Sequence, residues 1–390
     1  MKGRKLLMIP GPIEFEPEVL QAMSIPTPSH VAPNFIACFG HCLEMMRKVW
    51  LCPDGQPFIV AGSGTLAMDL AGANLIEPGD QALVVSSGYF GQRFAHLLRR
   101  YGAEGDILEA APGELVPLEQ VEAALAAKNY KLMTFTHVDT STGVRTDAQA
   151  LGALGQQYNT LTILDGVCSV AGERIHQQEW GIDVVLTASQ KAISVPPGLA
   201  LLVVSPRAMQ AWQQRRSPVG NYYADWHNWL PIMQAYEDRK PAYFGTPAVN
   251  LIMALEVSLK QILAEGMEAR FKRHAHIAHA FREAMQALAI MMLPAEKAAA
   301  ANTLTAAFYP EGVDGNQFRA AVSQAGVIIA GGLLADLKSQ YFRVGHMGPV
   351  NQNDLLATVG AIEAALHHCG YPYDTSAGSK AAKAALLADF

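Results

Sequence analysis

At 390 residues, half of them apolar and 16% charged, the chain can bury a large core and lacks the composition of a disordered protein. A formal net charge of −6 with no extended basic run argues against a nucleic-acid partner, and no segment approaches the ~18 uninterrupted apolar residues of a membrane span. The five cysteines form no CxxC pair and are odd in number, which fits reduced thiols in a cytoplasmic protein; no secretory leader or C-terminal targeting signal is expected.

Pro10-Gly11-Pro12 through Pro17 is too rich in proline for a helix and predicts an extended arm over residues 1–20. Helical spacing of apolar residues predicts a helix from about Pro33 to Trp50, stopped by Pro53-Asp54-Gly55. Cys38 and Cys42 share a face of it, but nothing nearby completes a metal set, so no metal is expected. Strands and helices then alternate. Phe58–Val60 leads into a Gly-rich turn and a helix from Thr65, and Ala82–Val85 leads to Gly88 and a helix over Gln92–Tyr101. Lys131–Thr136, Leu161–Asp165, Val184–Ala188 and Leu199–Ser205 are further short strands, several apolar throughout, as in a parallel sheet covered on both faces. Asn221–Phe244 reads as aromatic-rich and irregular, and Val249–Leu288 as a long helical stretch broken near Gly266. A strand (Thr303–Tyr309), a helix (Gln317–Gln324), a strand (Val327–Ala330) and a last helix (Asn353–His368) predict a smaller α+β unit. The expected division is an arm over 1–20, a large α/β domain over 21–255, a small domain over 256–370 and a mobile or loosely docked tail over 371–390.

The chemistry concentrates at strand ends. Lys191, in Ser189-Gln190-Lys191-Ala192, follows an apolar strand and precedes Pro196-Pro197-Gly198. A lysine desolvated there has a lowered pKa and becomes a nucleophile able to form a Schiff base with an aldehyde. Asp165 closes a neighbouring strand. An acid to protonate a pyridine nitrogen and an amine to carry an aldehyde are what pyridoxal phosphate needs.

Ala61-Gly62-Ser63-Gly64-Thr65 follows a strand and opens a helix, where glycines and unpaired N–H groups admit a phosphate. The same stretch fits G-x-G-x-x-A through Ala67, so a nicotinamide-binding turn remains open, although the next strand lacks the terminal acid that would hold a ribose. Phe90, in Gly88-Tyr89-Phe90-Gly91, can stack on a flat cofactor or simply fill core. His137-Val138-Asp139-Thr140-Ser141-Thr142-Gly143 is a hydroxyl-rich loop at another strand end; Ser141 and Thr142 read as capping the following helix, and His137 and Asp139 as structural. Arg343, in an apolar context, offers a fork suited to a carboxylate or to a buried ion pair.

Taken in order, these pieces resemble the class V aminotransferases of pyridoxal-phosphate fold type I, most nearly the alanine–glyoxylate and serine–pyruvate branch, from Pro10 to Gly348. The resemblance implies an α/β fold with a mostly parallel seven-stranded sheet plus a small C-terminal α+β domain. It implies that Lys191 carries the cofactor and shuttles the proton, that Asp165 pairs with the pyridine nitrogen, and that Val167 and Phe90 cover the ring faces. Thr140 lies near the phenolic oxygen, and Ser63, Gly64, Thr65 and Gln190 form the phosphate cup; a histidine is familiar where Thr65 stands. Tyr243 and Thr246 are lent to the phosphate of a partner subunit, which implies a homodimer with shared sites. Arg343 grips the substrate carboxylate, helped by the backbone at Gly11 and by Thr140. The activity so implied is ping-pong transfer of an amino group from a small amino acid, alanine first, to glyoxylate. Serine, ureidoglycine and pyridoxamine are alternative donors, and pyruvate an alternative acceptor; His30, Tyr222 and His346 are candidates to tune the choice. A cysteine desulfurase shares the fold but needs a reactive cysteine between Thr303 and Gly348, where none occurs. A lyase or decarboxylase on the same cofactor stays open.

Overall fold

The computed structural model describes residues 4–388. A short strand β1 (Leu6–Leu7) precedes helices α1 (Pro17–Met23) and α2 (Pro33–Val49). Alternation follows: β2 (Gln56–Ala61), α3 (Gly64–Leu75), β3 (Gln81–Ser86), α4 (Tyr89–Arg100), β4 (Glu104–Glu109), α5 (Leu118–Ala127), β5 (Leu132–Thr136), α6 (Ala148–Gln157), β6 (Leu161–Asp165), β7 (Val184–Ala188) and β8 (Leu199–Val204). Strands β2 to β8 form one seven-stranded sheet in the order β2-β8-β7-β6-β5-β3-β4. Only β8 runs antiparallel to its neighbours, so the α/β class with a mostly parallel sheet is the observed one. Strands β5, β6 and β7 are buried at every residue, as unbroken apolar runs in a doubly covered sheet must be. The strand order reverses between β3 and β5, the kind of place where open α/β sheets bind ligands beyond their carboxyl ends.

Strand β4 has no counterpart in the sequence reading. It lies at the sheet edge and is largely exposed, so it carries polar residues instead of an apolar run. The stretch expected to be irregular contains, after α7 (Pro206–Gln213), a helix α8 (Trp226–Glu237). Asp225 caps it by accepting from the His227 N–H, and Trp226, Trp229, Met233 and Tyr236 bury its inner face. Helices α9 (Val249–Glu265) and α10 (Met267–Ala287) part at Gly266, whose φ of 83° suits glycine.

The C-terminal unit comprises β9 (Leu304–Phe308), α11 (Gly315–Gln324), β10 (Val327–Ile328), β11 (Ala330–Gly331), β12 (Tyr341–Gly345), α12 (Gln352–His368) and α13 (Ala377–Leu387). Its antiparallel sheet runs β11-β12-β9, while β10 pairs with β1. The expected arm is thus only partly extended: β1 belongs to the small unit, and α1 begins at Pro17, where proline suits the first helical turn. Of the two expectations for the tail, mobile or a docked helix, the structure has the helix: α13 docks on α10 and α12. Ala382 is fully buried, Gly378 lies against Leu288 and Val359, and Ser379 bonds Glu363. Residues 1–3 and 389–390 of those two segments lie outside the described residues. Among the described residues three apolar clusters form: a large one under the main sheet and α9 that also takes in Ala301, Leu304 and Met347, a second from Ile277 onward with Met8, Phe318 and Phe342, and a small one of Leu293, Ala306 and Tyr341.

Candidate active site

Beyond β7 the chain turns sharply. Ser189 Oγ donates to the Pro196 carbonyl and accepts from the Leu199 N–H, while the Ser194 N–H closes on the Lys191 carbonyl. This turn delivers Lys191 into the interior, with 8% of its surface exposed and no carboxylate partner among the described residues. Its Nζ donates to the Pro10 carbonyl. Burial lowers the ammonium's pKa from the ordinary lysine range; the Arg343 charge adds to this, while Cys168 and Asp165 oppose it. Gly11 runs against the lysine stem with φ 110°, and a Cβ there would stand 2.6 Å from Lys191 Cδ. Only glycine allows that approach.

Asp165 ends β6 with 2% exposure. Its Oδ1 accepts the Val167 N–H at 3.0 Å, and no hydrogen bond among the described residues engages Oδ2. Burial pushes this carboxyl up to about 6, partly offset by the Val167 N–H and by the charges of Lys191 and Arg93, while Asp139 adds to the rise. The ordinary value is 3.8, so the folded cofactor-free chain holds the proton more tightly than the unfolded one, and stability falls as pH rises from about 4 to about 6. Asp165→Asn removes that cost of about 2–3 kcal/mol. It is expected to raise the melting temperature of the cofactor-free protein at pH 8, with the gain shrinking toward pH 4. Thermal unfolding at the two pH values checks this, and an equal effect at both would remove Asp165 ionisation as its cause.

The turn from β2 to α3 leaves its helix end open. Ser63 is the N-cap but makes no side-chain capping bond, and Ser63 and Thr65 are exposed. The first N–H groups of such an end have no helical partner and suit an anion. Gly64 lets α3 sit against Val167: a Cβ would lie 2.9 Å from Val167 Cγ2. Gln190 keeps a buried amide oxygen without a partner, so its amide is free for a group from outside.

Asp139 organises the opposite wall. Its Oδ2 accepts the Phe90 N–H at 3.0 Å, and its Oδ1 accepts the Ser141 N–H and hydroxyl at 2.9 and 2.6 Å. Ser141 Oγ in turn accepts the Tyr89 N–H at 3.1 Å. The hydroxyl loop therefore holds the start of α4 and with it Phe90. This corrects the expectation that Ser141 and Thr142 cap the following helix: Asp147 caps α6, and Thr142 donates to the Ser87 carbonyl.

Arg343, on β12, is held by two backbone carbonyls. Nε donates to Gly331 at 2.8 Å and Nη1 to Thr140 at 2.9 Å. No carboxylate pairs with it among the described residues, which sets aside the structural ion pair. Tyr341, fully buried on the same strand, donates its hydroxyl to the Ser141 carbonyl at 2.7 Å and accepts the N–H groups of Leu333 and Leu334. The small unit is thus fastened to the loop that carries Thr140.

The structure brings Lys191, Asp165, Val167, Gly64, Gly11, Thr140 and Arg343 into one cluster, with Ser63, Thr65, Phe90 and Gln190 bordering it. Tyr243 and Thr246 stay outside it, exposed on the segment before α9, Tyr243 against the ring of His30. His346 does not face the site. It is fully buried between the Thr305 hydroxyl and the Asn302 carbonyl. Sequence reasoning passed over Arg93, Cys168 and Tyr341 and gave Asp139 no part in the site. Arg93 was signalled by its three-residue spacing from Phe90 at a helix start.

Residues 29–340 match the family model for aminotransferase class V. The chain belongs to this family. It is 38% identical to alanine–glyoxylate aminotransferase 1 of Saccharomyces cerevisiae over 89% of this chain and 93% of that one. It is 30% identical to L-aspartate–glyoxylate aminotransferase of Paracoccus denitrificans over 98% and 96% of the two chains. Among solved structures, ureidoglycine–glyoxylate aminotransferase from Bacillus subtilis superposes with a TM-score of 0.91 at 25% identity, over 99% and 98% of the chains. As a class V aminotransferase of fold type I, the protein uses pyridoxal 5′-phosphate. The free Asp165 oxygen, the uncapped α3 end and the carboxylate-free Lys191 fit that group.

Proposed function

We propose that this aminotransferase moves the amino group of a small uncharged amino acid, alanine first, to glyoxylate in a ping-pong cycle. One observation carries the reading: Arg343 is aimed by two carbonyls, has no acid partner among the described residues, and bears on Lys191. A guanidinium so placed suits the α-carboxylate common to donor and acceptor. The preference for a short uncharged donor over aspartate follows the alanine donor named for the yeast relative, at 38% identity against 30% for the aspartate-using one. Glyoxylate is the acceptor named for the yeast, Paracoccus and Bacillus relatives alike, whereas their donors differ.

When bound, pyridoxal phosphate supplies the electron sink and the amino-group carrier. Lys191 would hold it and Asp165 would face its ring nitrogen. Val167 and Phe90 would cover the ring, Thr140 would lie near the phenolic oxygen, and Ser63, Gly64, Thr65 and Gln190 would take the phosphate. The chain's own work is then proton transfer and orientation. Arg343 and the Gly11 backbone orient the substrate carboxylate, and Lys191 Nζ, its pKa lowered by burial, takes and returns the Cα proton. Exposed Tyr222, Tyr223 and Tyr243, with Val31 and Ile25, support a homodimer in which the partner covers this face and Tyr243 and Thr246 reach the neighbouring phosphate. We place the enzyme in the cytoplasm, without nucleic-acid or membrane partners.

Adding alanine, serine, ureidoglycine or aspartate separately to the purified holoenzyme tests the donor. Alanine is expected to replace the visible band of the bound cofactor with the near-ultraviolet band of its amino form, and glyoxylate to restore it. Conversion by aspartate but not alanine would overturn the donor assignment. A band that never bleaches without the acceptor present would overturn the ping-pong order.

A further inference from the structure

The reading of Ser63–Thr65 as the phosphate turn leaves a charge unmatched. A phosphate there would meet backbone N–H groups and hydroxyls, yet the first turn of α3, Gly64-Thr65-Leu66-Ala67, has no basic residue. One cation is set against that turn from the neighbouring helix. Arg93, on the first turns of α4, donates from Nη1 to Thr65 Oγ1 at 3.3 Å and from Nη2 to the Tyr89 hydroxyl at 3.3 Å. Its guanidinium carbon lies 4.9 Å from the centre of the Phe90 ring and 5.0 Å from that of Tyr89, two rings set edge to face. This aromatic corner fixes the plane of the fork at little entropic cost. Among the described residues no carboxylate pairs with it. A half-buried arginine stacked on rings, bonded to a hydroxyl at an open helix end and without an anion, is arranged for an anion from outside the chain.

We propose that Arg93 binds the cofactor phosphate directly, completing with Thr65 a cradle to which α3 itself contributes no cation. Each terminal nitrogen of the fork carries two hydrogens and spends one on Thr65 or Tyr89, so a second on each remains for phosphate oxygens. Phe90 would serve on both faces, toward Arg93 on one and toward the cofactor ring on the other. Asp139, which forms a wall of the site, accepts the Phe90 N–H, so the aromatic corner that holds Arg93 is fixed to that wall.

The phosphate-free analogue pyridoxal separates this role from others. Full-length apoenzyme is titrated with pyridoxal phosphate and with pyridoxal, in the wild type and in the Arg93→Met and Arg93→Lys variants. Arg93→Met is expected to weaken pyridoxal phosphate binding by about tenfold to a hundredfold, the range of a charged hydrogen bond, and to leave pyridoxal binding unchanged. Arg93→Lys, which keeps the charge but not the fork, should fall between, and the 31P resonance of the bound cofactor should move in both variants. Equal losses for the two ligands would overturn the proposal and assign Arg93 to the support of Phe90. Unchanged affinity for both would overturn it too, as would loss of the dimer with cofactor affinity intact, which would turn Arg93 toward the partner. If the wild type itself binds pyridoxal as tightly as pyridoxal phosphate, the phosphate turn fails, and Arg93 with it. Where the wild type prefers the phosphate, the turn stands and the variants decide on Arg93 alone.

Discussion

Replacing Lys191 with alanine is expected to cut turnover by about ten-thousand-fold or more, because the residue is both the anchor of the cofactor and the base at the substrate Cα. The fold should survive. Lys191 is a buried ammonium with no carboxylate partner among the described residues, so its charged form is an unfavourable element of the native state, and burial lowers its pKa for that reason. Truncation leaves the Pro10 carbonyl without its donor, but the turn holding position 191 is built from Ser189, Pro196 and Leu199 and does not depend on the amine. The variant should still take up cofactor through Asp165, the α3 end and Gln190. The observable pattern is a folded protein with a cofactor spectrum, no multiple turnover, and partial recovery with a small primary amine. Full multiple-turnover activity in this variant would sink the assigned role of Lys191.

Much of this site could be read from strand ends. Asp165 ends and Lys191 follows fully buried strands whose apolar runs are unmistakable, and their placement at the carboxyl edge is dictated by a parallel sheet. Arg343 was visible as an arginine in an apolar context, but the strand beneath it was not. Strand β12 pairs antiparallel with β9 and β11, and its short Tyr-Phe-Arg-Val-Gly run carries no turn signal to announce a hairpin. The reason Arg343 is well aimed, two accepting carbonyls at Gly331 and Thr140, is invisible in sequence because any residue has a carbonyl. The same holds for Pro10 at Lys191 and for β1, two residues whose pairing with β10 arises only from the way the N-terminal segment crosses the small unit. Asp139 shows another limit. A buried acid beside Ser141 looked structural, and it is structural, yet what it positions is the Phe90 turn of a different helix, brought there by the β3–β5 adjacency.

Arg343→Ala is expected to raise KM for alanine and for glyoxylate together, by about 30-fold to 1000-fold, equivalent to about 2–4 kcal/mol of lost charged hydrogen bonding. The parallel rise is the diagnostic part. Donor and acceptor share only the carboxylate at this end, so a residue holding that group must affect both half-reactions, whereas one that shaped the side-chain pocket would affect the donor alone. Cofactor affinity should stay near the wild-type value, since the Arg343 hydrogen bonds go to Gly331 and Thr140 and not to the α3 turn. Arg343→Lys should recover little. The native fork uses Nε for Gly331 and one Nη1 hydrogen for Thr140 while keeping others for the substrate, and a single ammonium cannot span two carbonyls and a carboxylate in that geometry. Arg343 also ties the small unit to the Thr140 loop, so a purely structural role must be distinguished. Loss of that tie alone would lower the melting temperature and kcat with little change in KM, because Tyr341 continues to hold the same loop through Ser141. An unchanged KM for both substrates would therefore take Arg343 out of the binding site, and with it the argument for a small carboxylate donor.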